Sequence, residues 1–322
     1  MTNLRYAKNI VIDTKEYNPE DIAKMQEMMK GKPPVKTTVD ITRLLWMDDS
    51  KVEGASFYME CIWLWPGVTT SGTTEEPHVH DFTEVIGFIS TDPANPHDLD
   101  ARMEIILGDE THFLTKSCLV HVPPGMKHCP LTFREVNRPT FFFTLAPISR
   151  YGRESETIKS AQPIPEFKTP PKDANGSRYA RYIITNPKRH VPPPDKSKTA
   201  APPKAKTTQI VSLDSDVSPD AFYVDFVWIW SGDMKMAAPH SHDWDEMIGF
   251  AGLPENKDNS RAINGNVSIK LGDEVHDIKQ SSLVFVPKNV SHCPIQMKGI
   301  KTPMLLFTIG NTTLWTEQGK KK

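Results

Sequence analysis

From about residue 40 onward the chain alternates between short runs of branched and aromatic residues and clusters of turn formers. Ser56 to Trp65, Glu84 to Ser90, Arg102 to Leu107, Leu119 to Val122 and Thr140 to Ala146 are such runs. Their length and β-branched, aromatic content predict strands, and the Gly, Pro and Asp residues between them predict tight turns. Many short strands at regular spacing predict an all-β barrel or jelly roll. One short helix is expected ahead of them. Asn18-Pro19-Glu20-Asp21 offers a cap, a proline suited to the first helical position and acids for the first turn, and Ile22, Met25, Met28 and Met29 recur at helical spacing. That methionine stripe reads as packing.

The pattern occurs twice. Arg5-Tyr6-Ala7-Lys8 returns as Arg178-Tyr179-Ala180-Arg181, and Trp63-Leu64-Trp65-Pro66-Gly67 as Trp228-Ile229-Trp230-Ser231-Gly232. Leu107-Gly108-Asp109-Glu110 returns as Leu271-Gly272-Asp273-Glu274, and His128-Cys129-Pro130 as His292-Cys293-Pro294. The matches are collinear, so one domain has been duplicated. The expected organisation is a domain over 1–162, a linker over 163–172 and a second domain over 173–322. The linker carries Pro163, Pro165, Pro170 and Pro171 and cannot form a helix. A second Pro- and Lys-rich stretch, Pro192 to Lys204, reads as extended covering chain.

Composition narrows the function classes. The chain has 322 residues, 38% hydrophobic and 24% charged, with a net charge of -2. That balance gives no reason to expect nucleic acid or an acidic membrane surface as partner. No apolar run is long enough to span a bilayer and no secretory leader is visible. The four cysteines form no CxxC pair, so a cytoplasmic location is expected.

The chemistry sits in two stretches, Pro77-His78-Val79-His80-Asp81-Phe82-Thr83-Glu84 and Pro239-His240-Ser241-His242-Asp243-Trp244-Asp245-Glu246. Histidines two apart on a strand point to the same side of a sheet. Glu84 opens the next run, and its carboxylate returns beside the two imidazoles if that run is the neighbouring strand. His128 follows a Pro123-Pro124-Gly125 turn, where a positive φ is needed; Asn289, the next most tolerant residue, takes that place before His292. Three imidazoles and a carboxylate suit manganese, iron, nickel, cobalt or zinc, and four ligands leave two octahedral positions open. Cys129 and Cys293 are expected to alternate away from the metal as small buried core residues. His121, opposite Phe285 in the repeat, is a candidate general acid or base for the first cavity. Trp63, Trp65, Trp228 and Trp230 are candidates for a cavity mouth or for core packing.

With Gly72 upstream, His78-Val79-His80, Glu84 and Pro123-Pro124-Gly125-Met126-Lys127-His128 resemble the two motifs of the cupin superfamily, and both halves carry them. The chain thus resembles a bicupin. The resemblance implies two tandem double-stranded β-helix barrels, one divalent metal in each, and small-molecule substrates; it leaves a homo-oligomer open. It puts His78, His80, Glu84 and His128, and His240, His242, Glu246 and His292, in the ligand places. An oxygenase acting on a small organic substrate, aromatic ones included, is the leading expectation. A non-redox decarboxylase, lyase or isomerase is the alternative, set back because no arginine stands near either motif in sequence. A non-catalytic metal- or ligand-binding protein is the third reading.

Overall fold

The computed structural model describes residues 4–15, 34–73, 75–155, 159–188 and 205–315, with a few isolated positions between 19 and 31. Most of the expected helix and the stretch from Pro192 to Lys204 lie outside the described residues. The described chain is almost entirely β, with two single-turn 3-10 helices at Ala7–Asn9 and Ala180–Tyr182. None of its helices is long and apolar enough to cross a membrane.

Two compact units emerge, Asp13–Ile184 and Met1–Ile12 with Thr185–Lys322. In the first, a six-stranded antiparallel sheet runs Ile183–Ile184, Cys118–Val122, Glu84–Ile89, Thr140–Ala146, Tyr58–Leu64, Ile41–Met47. A second sheet is built on His128–Val136, which pairs with His78–Val79, Gly67–Ser71 and Asp98–Leu107. Ile62, Leu64, Ile86, Phe88, Val120 and Val122 from the first sheet share one core with Met103, Ile105, Leu131 and Phe133 from the second. Every second residue faces inward, as strand geometry requires. The outcome is the jelly-roll barrel expected from the short, evenly spaced runs.

The second unit repeats this with one change. Tyr223–Met236 is a single strand of 14 residues, whereas the first unit breaks the same run into Tyr58–Leu64 and Gly67–Ser71. Pro66 stands at the break and Ser231 at the matching place. Proline has no N–H to give to a ladder, so the strand is interrupted there and runs through with serine.

The units do not follow the expected boundaries of 1–162, 163–172 and 173–322. Ile10–Val11 pairs with Ser282–Val286, and Ile183–Ile184 pairs with Cys118–Val122. The leading arm of each repeat thus completes the sheet of the other. The repeated Arg-Tyr-Ala motif is the anchor. The Glu274 carboxylate accepts the backbone N–H of Arg5 at 2.7 Å and of Tyr6 at 3.0 Å. Glu110 accepts those of Arg178 at 2.9 Å and Tyr179 at 3.4 Å. His276 and His112 stand 3.1 and 3.6 Å from these carboxylates, which places both histidines at a structural contact rather than in a cavity.

Candidate metal centres

In the first barrel the strand His78–Val79 lies between Glu154–Ser155 and His128–Val136, with His78 directly opposite His128. Their rings come within 4.3 Å, and His80 stands 4.9 Å from His78. Glu84 opens a strand of the other sheet, not the neighbour of His78–Val79, and its Oε2 still lies 3.4 Å from His80 Nε2 and 3.1 Å from His128 Nε2. The turn before His128 has Gly125 at φ 76, and the Gly125 N–H donates to the His80 carbonyl at 2.8 Å. That bond ties the two motifs together. Asn289 takes φ 65 in the second barrel and donates to the His242 carbonyl at 2.7 Å, so the same device recurs with the residue best able to replace glycine.

Each Nδ1 is held by a carbonyl: His78 by Glu76 at 2.7 Å, His80 by Gly152 at 2.7 Å, His128 by Met126 at 3.0 Å. This puts the proton on Nδ1 and turns the Nε2 lone pairs toward one point. The Nε2 atoms of His78 and His128 and Oε1 of Glu84 are buried there without a hydrogen-bond partner. Burial, reinforced by His128, pulls the His78 pKa down to about 3, so the ring is neutral. Burial would raise the Glu84 carboxyl, but the His128 and His80 imidazoles outweigh it and hold it well below the usual range. Unpartnered Nε2 atoms crowded around a carboxylate fit a cation. The ligand atoms of His78, His80, Glu84 and His128 all lie within 4.8 Å of one another.

The second barrel is looser. Nδ1 of His240, His242 and His292 is held by the carbonyls of Ala238, Trp244 and Val290 at 2.9, 2.9 and 3.0 Å. Glu246 Oε2 lies 3.3 Å from His242 Nε2 and 2.9 Å from His292 Nε2. His240 and His242 are 5.8 Å apart, however, and the donors fall into two overlapping groups: His242, Glu246 and His292, and His240, His292 and Cys293. His240 is held to the sheet by a single bridge to His292, and among the described residues it has no flanking strand like Glu154–Ser155. Trp315, the repeat counterpart of Tyr151, stands 6.2 Å from His240, whereas Tyr151 stands 5.0 Å from His80.

Both cysteines are buried core residues as expected, but not on the face that strand alternation assigns them. The backbone at Cys129 (φ 67) and Cys293 (φ 70) is left-handed, which breaks the strand alternation that would turn them away. Cys129 lines the first cavity and Cys293 joins a donor group.

A cavity of about 520 Å³ opens on the first centre, with His78 and Glu84 in its wall. Tyr151 and Arg153 line it beside the ligands. The Tyr151 hydroxyl is 3.2 Å from His80 Nε2, and Arg153 is paired with Glu75. Arg43 lines it too, its Nε donating to Glu60 at 2.9 Å. Ile62, Ile86, Leu131, Phe133 and Phe142 form its apolar walls. Burial raises the Glu60 carboxyl, although Arg43 opposes it, and burial also keeps the Tyr151 phenol protonated. Sequence reasoning missed these groups. Arg43 precedes His78 by 35 positions and Arg153 follows His128 by 25, and only folding brings them in. A signal did exist at Glu60, which the repeat matches to Asp225, with Gln209 in the place of Arg43 and the same mutual bond at 2.8 Å.

His121 is buried between Val120 and Val122, which belong to the barrel core, so alternation turns it to the other face of the sheet. Its ring lies 6.0 Å from Tyr182 and it does not line the cavity. The four tryptophans pack rather than line the cavity: Trp63 sits against Phe141 at 5.2 Å, Trp228 stacks on Trp230 at 5.0 Å, and the Trp65 and Trp230 indoles donate to Thr42 and Thr208.

Comparison with known proteins finds likeness in structure alone. No family model matches the sequence, and no curated protein matches it. The oxalate decarboxylase of Lactobacillus farciminis, solved as a formate complex, superposes with a TM-score of 0.51 at 12% identity over 88% of this chain and 85% of that one. A point mutant of the Bacillus subtilis oxalate decarboxylase gives 0.50 at 13% identity over 88% and 76%. At such identities the likeness is one of fold, and the fold is that of the bicupins.

Proposed function

We propose that this bicupin is a divalent-metal-dependent enzyme whose N-terminal barrel performs non-redox chemistry, of the decarboxylase, lyase or isomerase class, on a small organic carboxylate with an apolar body. The observation that carries the reading is the closed cluster of His78, His80, Glu84 and His128 opening on a cavity that also holds Arg153 and Tyr151. A metal bound there supplies a Lewis acid that polarises a carboxylate or carbonyl oxygen.

The chain's own groups account for the rest. Arg153 is largely buried and its present partner, Glu75, is the more exposed of the two. A substrate carboxylate that takes the place of Glu75 gains a planar, charge-assisted partner. The Tyr151 phenol, protonated through burial, donates a hydrogen bond to an oxyanion forming beside His80. Burial raises the Glu60 carboxyl in the same cavity, against the pull of Arg43. The aromatic and branched walls exclude water and accept the apolar part of the substrate. The arginine that the sequence argument found missing is therefore supplied by the segment after Thr140–Ala146, which moves the non-redox reading ahead of the oxygenase.

The test is a panel of small carboxylic acids offered to metal-analysed protein, with carbon dioxide, dioxygen and product isomers followed together. Turnover without dioxygen consumption is expected, with Arg153→Gln raising KM about 10- to 100-fold, the loss of one charge-assisted pair. Turnover that consumes dioxygen would restore the oxygenase reading. Protein that takes up no metal would end both.

A further inference from the structure

The second barrel brings into a donor group a cysteine whose counterpart in the first barrel joins none. Cys293 Sγ lies within 4.8 Å of the ligand nitrogens of both His240 and His292. The thiol is 4% exposed, and its left-handed backbone turns it inward from the strand that starts at His292. His292 belongs also to the group formed with His242 and Glu246, so it joins the two sets. In that group the Nε2 atoms of His292 and His242 and Oε2 of Glu246 are buried without hydrogen-bond partners. In the first barrel Cys129 has the same position and the same backbone, yet it forms no group with the histidines; the four ligands there close on one another without it.

Resting on the metal reading above, we infer that Cys293 is a thiolate ligand of the second centre, which thereby holds zinc or cobalt in a site closed to substrate, while the first centre stays open. Binding exchanges the thiol S–H bond for a metal–sulfur bond, and the proton leaves to solvent past the partly exposed His240. A sulfur donor favours zinc and cobalt over manganese, so the two centres of one chain select different metals. A closed set of protein ligands is the mark of a structural site, and an open position that of a reactive one.

Cobalt(II) reports the difference directly. Full-length apoprotein is titrated with two equivalents, and the visible ligand-field bands and the near-ultraviolet thiolate-to-cobalt charge-transfer band are recorded. The charge-transfer band is expected in the wild type and in Cys129→Ser and is expected to vanish in Cys293→Ser, which keeps its ligand-field bands. Ligand-field bands without charge transfer in the wild type, or charge transfer surviving in Cys293→Ser, would overturn the assignment and leave the first centre's reading standing. No cobalt bands in any form would overturn both. Should Cys293→Ser fail to fold, X-ray absorption of the wild-type zinc form decides, because a Zn–S shell at about 2.3 Å is either present or absent.

Discussion

His121→Phe isolates one buried imidazole. His121 is fully buried, and desolvation pushes its pKa from 6.5 down to about 4. The folded chain therefore resists protonation there, while the unfolded chain accepts a proton below about pH 6.5. The stability contributed by the neutral ring is complete above the unfolded pKa and is lost as pH falls through the folded one. A shift of about 2.5 units corresponds to about 3 kcal/mol, at about 1.4 kcal/mol per unit. Phenylalanine is the informative replacement, because Phe285 pairs with Met247 as His121 pairs with Val85. Urea unfolding of metal-free protein at pH 7 and pH 4 measures the effect. The wild type should lose about 3 kcal/mol more than His121→Phe between the two, roughly 1 M in midpoint at an m-value of 2–3 kcal/mol/M. Other titrating groups are common to both proteins and cancel in the difference. Parallel pH profiles for the two would refute the claim that burial keeps this histidine neutral.

Metal removal should be legible in melting. At a hundredfold excess over its Kd a bound ion adds about 2.7 kcal/mol, or about 5–11 °C for a unit of this size, and identical calorimetric traces with and without chelator would contradict it. His128→Ala should lower the bound metal from two ions to one per chain in elemental analysis, with His292→Ala removing the other; unchanged metal content in His128→Ala would count against the first cluster. Gly87→Ala places a Cβ 2.0 Å from Phe143 Cζ, and Gly249→Ala repeats this 1.9 Å from Phe307 Cζ. Each should destabilise by about 1–3 kcal/mol in denaturant melts, and a loss below about half a kcal/mol would show that the phenyl ring yields freely.

Much of this protein is written in local pattern. The strand runs, the duplication, the paired histidines and the need for Gly125 or Asn289 before the last histidine follow from period-two alternation and turn chemistry, which act over a few residues, whereas Glu84 meets the histidines from the other sheet. The tertiary structure alone decided what depends on chain segments meeting from afar. Ile10–Val11 and Ile183–Ile184 exchange between the repeats because strand pairing is indifferent to sequence distance, and so a boundary read from proline content fell elsewhere. Arg43, Glu60, Tyr151 and Arg153 reach one cavity through barrel closure, while a left-handed residue sends Cys129 and Cys293 to the face that alternation had denied them. Both motifs are alike in sequence, yet only in the first do all four ligands gather in one group, since Glu154–Ser155 flanks His78 and among the described residues nothing equivalent flanks His240.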